Sequence, residues 1–217
     1  MTFPNAVKGV KTLHIAAYIG LIMSVISLIA PTFSMLYMAV SSQPSNENGI
    51  VGFILVMLVY SIVLGTVAYY VISLIGVNLA SKDESSFKVA FYAIIFGIII
   101  TIIGGVFSSN EAIKGLTDIL YNITNIISAI YIIQGVVFLS KALGNHKMKE
   151  QGNHIIRIIS VIYVFQIFTS VSMVIFGDLT QSIVSAILTE VVGILSIAEY
   201  VLFLMYLSKT NKMLSEL

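Results

Sequence analysis

Glu190 and Glu199 interrupt a stretch from 179 to 208 that is otherwise free of charge. A carboxylate in the middle of an apolar helix costs a few kcal/mol in lipid, so residues of this kind are candidates for proton or cation handling, or for contact with a polar substrate. The competing structural reading has each one protonated, or hydrogen-bonded to an amide or tyrosine of another helix, and serving only to fix packing. Helical steps of 100° place Ser185, Thr189, Gly193, Ser196 and Tyr200 within about an 80° sector. Val184, Ile187, Val191, Ile194, Ala198 and Leu202 take the opposite face, which suits lipid. Glu190 lies beside one edge of the polar stripe and Glu199 beside the other, roughly 13–14 Å apart along the axis. This helix is therefore expected to show one carboxyl to each neighbour.

Partners for such groups are concentrated nearby. One segment carries Asn122, Thr124, Asn125, Ser128, Tyr131 and Gln134, the next carries Tyr163, Gln166, Thr169 and Ser170, and Asn78 stands apart. Amides at this density are costly against lipid and are expected to point inward. The candidate polar site in the membrane is accordingly Glu190, Glu199, Asn122, Asn125, Gln134 and Gln166, and any pathway is expected among the last three helices. Gly97, Thr101 and Gly105 follow at four-residue spacing as a small-residue seam for close helix contact.

Other chemistries lack their parts. Cysteine is absent, which excludes disulfides and thiolate metal sites. His146, Glu150 and His154 would share a face if a helix continued through them, but the surrounding lysines oppose a divalent ion, so no metal and no cofactor are expected. There is no H-E-x-x-H, no P-loop and no convincing nucleophile–base pair, and an enzyme is not expected. A net charge of +1 without a long basic block gives no reason to expect nucleic acid.

The elements that must position these residues follow from composition and charge. At 58% hydrophobic and 10% charged residues, with mean hydropathy +1.03, the chain has too little polar surface to cover a soluble core of its size. Its partner is the lipid bilayer. A hydrocarbon core needs about 20 mostly apolar residues per helix, and cutting the chain at its charges yields six such intervals. Local turn signals trim them to helices at about 12–40, 50–80, 89–107, 116–140, 154–177 and 182–208 within one domain, 1–217. Ser41–Gly49, with Pro44, reads as the first polar turn. Pro31 should kink or break the first helix. The expected fold class is all-α, a polytopic membrane bundle of six transmembrane helices.

All but one of the eleven Lys and Arg residues fall at one end of that bundle, the exception being Lys114. The positive-inside rule puts the ten-charge end, with both termini, in the cytoplasm.

The even-numbered helices finish alike. Gly76–Lys82, Gly135–Lys141 and Phe203–Lys209 align without gaps, each ending in Ser-Lys. The chain reads as three tandem helical hairpins of roughly 60–70 residues in the same orientation. Ala80–Phe91 (ASKDESSFKVAF), Lys141–Gly144 with Lys149 and Gly152, and Tyr206–Leu214 (YLSKTNKML) resemble the cytoplasmic signposts of a group of uncharacterised multi-pass membrane proteins of low-GC Gram-positive bacteria. That resemblance covers most of the chain from the second helix onward. It implies a bacterial plasma membrane and brings no established activity.

The function expected first is a small transporter or channel-type protein, or a membrane subunit of a transport complex with other membrane or ATPase subunits. Substrate-binding subunits of energy-coupling-factor transporters have this size and helix number, and Ala16-Ala17-Tyr18-Ile19-Gly20 is a weak echo of the small-residue docking surface on their first helix. The alternative is a non-catalytic accessory or immunity-type protein acting through protein contacts. Substrate and oligomeric state are not readable from these residues.

Overall fold

In a computed structural model, the described residues are 3–41, 48–107, 109–176 and 183–215, with side-chain surroundings described outside 31–51, 111–112, 173–186 and 189. They form six helices: α1 (Pro4–Ser41), α2 (Asn48–Ala80), α3 (Ser86–Val106), α4 (Glu111–Ala142), α5 (His146–Phe176) and α6 (Ile183–Ser215). All six are long and apolar enough to cross a membrane, and the chain is a multi-pass integral membrane protein.

Each helix packs on its neighbours in the chain, and α6 closes the ring against α1. Consecutive helices are antiparallel hairpins, so both termini and the α2–α3 and α4–α5 turns gather at the basic end. Fully buried side chains concentrate at that end, among them Val10, Leu13, Val77, Phe87, Ile133, Val136, Leu139, Tyr206 and Leu207. The outer faces are the reverse of a soluble surface: Phe53, Tyr60, Leu64, Phe96, Val161, Phe168 and Ile194 all stand exposed. Only lipid covers such a face at low cost.

The helices overrun the spans marked by charge, because charge marks where a helix meets water and not where its hydrogen-bond ladder stops. α4 starts at Glu111 instead of 116, with Asn110 as its N-cap: Asn110 Oδ1 accepts from the Ile113 N–H at 3.2 Å. α5 starts at His146 instead of 154, and Asn145 Oδ1 accepts from the Met148 N–H at 3.1 Å. Both asparagines satisfy amides that a helix start leaves open. Between them Gly144 takes φ 70°, the left-handed turn that ends α4. α1 runs without interruption through Pro31 to Ser41, so the expected break there does not occur. Most of the turn expected at 41–49 lies outside the described residues.

Asp83, in the α2–α3 turn, holds the first turn of α1 from across the bundle. Its Oδ2 accepts from the backbone N–H of Asn5 at 2.8 Å and of Ala6 at 2.7 Å, while Oδ1 accepts from Asn5 Nδ2 at 2.9 Å. A carboxylate at a helix N-terminus meets both open N–H groups and the positive end of the dipole. Asp83→Ala is expected to lower stability by about 1–2 kcal/mol, read as an earlier midpoint in denaturant titration of the detergent-solubilised protein. An unchanged midpoint would mean the clamp does not hold α1.

The seam on α3 also differs from expectation. A side chain at Gly97 would meet Thr124 Oγ1 at 2.9 Å and one at Gly104 would meet Thr117 Oγ1 at 2.7 Å, whereas Gly105 has no atom within 4 Å and Thr101 is exposed. The α4-facing row steps by seven residues, which tracks one face of a supercoiled pair, while repeated four-residue steps rotate off it.

Candidate functional site

Away from the basic end the ring opens around its axis. A cavity of about 340 Å³ is walled by Gly20, Ser24 and Ser27 of α1, Thr66, Tyr69 and Tyr70 of α2, Tyr121 of α4, and Glu190, Gly193, Ser196 and Tyr200 of α6. Its space comes from residue size: glycine and serine on the inner faces of α1 and α6 leave the axis unfilled. Gly20 lies directly under the Tyr200 ring, where any side chain would collide, so this glycine sets how Tyr200 sits. Toward the basic end lies a second cavity of about 50 Å³, to which all six helices contribute. Ala16, Ala17, Ser73, Ile94, Asn125, Ser128, Tyr163 and Glu199 line it. Tyr69, Tyr121 and Tyr200 line both cavities and form the partition between them.

The polar groups are tied together. Tyr163 OH donates to Glu199 Oε1 at 2.7 Å, and the carboxyl also forms part of the wall of the smaller cavity. Gln166 Nε2 donates to Ser196 Oγ at 3.1 Å and Asn122 Nδ2 to Ser170 Oγ at 3.1 Å, joining α5 to α6 and α4 to α5. Tyr70 OH donates to Tyr121 OH at 2.8 Å, and Tyr69 meets Tyr200 edge to face with ring centroids 6.1 Å apart. Glu199 precedes Lys209 by ten residues, about 15 Å along the helix and so about half of a 30 Å hydrocarbon core. Glu190 lies nearer the far surface and is exposed toward the larger cavity. Among the described residues, neither cavity is lined by Lys, Arg or His.

The sequence-predicted site residues divide into three groups. Glu190, Glu199 and Asn125 line the axial cavities. Asn122 and Gln166 serve as interhelical ties beside them, and Gln134 is half-buried and lines neither cavity. Asn78 was expected inward, yet it is exposed near the end of α2, where water reaches it. Gly193, Ser196 and Tyr200 of the α6 stripe face the axis, and Ile187, Val191, Ile194 and Ala198 are exposed opposite them. The side chains of Val184, Ser185 and Thr189 lie outside the described residues.

The axial cavities are not confined to the last three helices. α1 and α2 supply much of the wall, because their small and hydroxyl residues face inward too. Tyr69, Tyr70 and Tyr121 are the main residues that sequence reasoning missed. For the α2 pair a signal was present: Thr66, Tyr69 or Tyr70, and Ser73 recur at helical spacing, as Gly20, Ser24 and Ser27 do on α1. The run Ala16–Gly20 divides between the two sides of α1. Ala16, Ala17 and Gly20 are buried toward the axis and Tyr200, while Tyr18 of the same run is exposed.

Outside the bundle core, α5 does run through His146, Glu150 and His154, and all three are exposed on its surface. No group of three metal-ligating side chains converges among the described residues. Comparison with protein-family models, curated proteins and solved structures gives no match.

Proposed function

We propose that this chain is a small transport-type membrane protein whose substrate pathway is the axial cavity, entered from the end opposite the basic one. One observation carries the reading: a carboxyl at mid-membrane depth, held by Tyr163, lines a cavity to which all six helices contribute. A bundle stabilised only by packing has no need to keep a carboxyl beside empty space at that depth. The tightly packed basic end and the roomier far half together describe a vestibule closed on one side. Ten of the eleven Lys and Arg residues at the closed end support a cytoplasmic location for it and for both termini. The resemblance carried by Ala80–Phe91, Lys141–Gly144 and Tyr206–Leu214 supports a bacterial plasma membrane.

The protein has no cysteine of its own, so single cysteines report directly. With a membrane-impermeant thiol reagent, Ser24→Cys and Thr66→Cys in the larger cavity are expected to react at least about tenfold faster than Ser73→Cys, which is buried beyond the tyrosine partition. Equal, negligible rates at all three positions would remove the vestibule and the transport reading with it.

A further inference from the structure

We propose that the cavity takes a small organic cation with an apolar or aromatic body, which enters in exchange for a proton held on Glu199. This rests on the reading of the cavity as a pathway and names its substrate class.

Three observations converge. The charge-bearing groups on the walls are the carboxyls of Glu190 and Glu199, with no basic side chain lining either cavity among the described residues. An anion would find nothing there to pair with. The partition between the cavities is aromatic, formed by Tyr69, Tyr121 and Tyr200, with Tyr69 edge-on to Tyr200. Ring faces attract cations that shed water easily, which favours alkylated or aromatic ammonium groups over small hydrated metal ions. Small hydroxyl and glycine residues share the rest of the larger wall with Tyr70 and with apolar Met23, Leu28 and Val192, which suits an apolar body, and its space is of the size that small-molecule sites use. The two carboxyls are stepped along the axis, Glu190 on the larger cavity and Glu199 on the smaller one, across the tyrosine partition.

The exchange balances simply. The Glu199 carboxyl loses one proton to solution as one monovalent cation binds, so the O–H bond is the only bond broken and the net charge of the site is unchanged. The titratable groups facing Glu199 are Tyr163 on α5, Tyr200 on its own helix, Tyr69 on α2 and Tyr121 on α4. α1 and α3 contribute only apolar side chains there. His14 on α1 lines neither cavity; it packs against Tyr18 at 4.9 Å between ring centroids, and its Nε2 is buried without a partner.

The test is calorimetric titration of the purified full chain in detergent with benzyltrimethylammonium, at several pH values and in two buffers of different ionisation enthalpy. Wild type is expected to bind more weakly as pH falls and to release close to one proton per cation in the range where the affinity changes. Glu199→Gln keeps the side-chain shape and a hydrogen-bond acceptor for Tyr163; it should bind at least about tenfold more weakly and release no proton. Tyr200→Leu should weaken binding about three- to tenfold while keeping the proton release. His14→Gln should leave the pH profile unmoved. Absence of binding by wild type, equal affinity in Glu199→Gln, or binding without proton release overturns the proposal. If the cavity cysteines react as expected while benzyltrimethylammonium does not bind, the pathway stands and the substrate class is wrong.

Discussion

Gly9→Leu is expected to destabilise the bundle by about 3 kcal/mol or more, the largest stability loss of any single substitution considered, and to open its basic end. α1 and α2 touch backbone to backbone at this point. A Cβ on Gly9 would lie 2.6 Å from Ala80 N and 2.6 Å from Gly76 O, and one on Gly76 would meet Gly9 O at 3.0 Å. These neighbours are main-chain atoms in helices, so they cannot turn aside as a flexible side chain would. Mutual glycines let helices approach closely in lipid, where packing rather than the hydrophobic effect holds them together. Gly105→Leu is the matched control: it makes the same change where no atom lies within 4 Å, and its cost should stay within about 0.5 kcal/mol. Denaturant titration of both variants in the same detergent checks the contrast. Equal midpoints would mean that the α1–α2 contact is not as close as described.

The largest functional effect is expected at Glu199. In proteoliposomes with an imposed pH gradient, Glu199→Gln should reduce gradient-driven uptake of labelled benzyltrimethylammonium by at least about 100-fold, if a proton must leave this carboxyl in each cycle. Glu190→Gln should reduce it only a few-fold, because Glu190 sits at the exposed mouth, where its charge attracts cations without exchanging protons at depth. Both variants should remain folded, since Gln occupies the volume of Glu. Comparable uptake by Glu199→Gln and wild type would remove the carboxyl from the mechanism.

What the sequence made legible follows from which forces act locally. Six spans could be read because the cost of placing charge in lipid imposes a length and a boundary on every helix. The lipid face of α6 could be read because Ile187, Val191, Ile194 and Ala198 recur at helical spacing, and all four are exposed. Glu190 and Glu199 could be singled out because a carboxylate between apolar residues needs a reason. The partner of Glu199 was only one of several candidates, since a pairing between α5 and α6 depends on how two helices are rotated against each other. The tyrosine partition was missed for a related reason. Tyrosine is also the expected anchor at a membrane surface in a chain without tryptophan, so residue type alone did not separate axis from interface, and only the spacing on α2 marked Tyr69 and Tyr70. Charge likewise located the ends of the spans but not of the helices, which is why α4 and α5 begin earlier, at asparagine caps.

The sidedness of the cavity tests the account most directly. Thr66→Cys, on the wall of the larger cavity, can be exposed to the same impermeant thiol reagent in right-side-out and in inside-out membrane vesicles. Fast labelling from the outer face and slow labelling from the cytoplasmic face is the predicted result, because the packed core around Phe87, Ile133 and Leu207 closes the basic end. Fast labelling from the cytoplasmic face alone would contradict it.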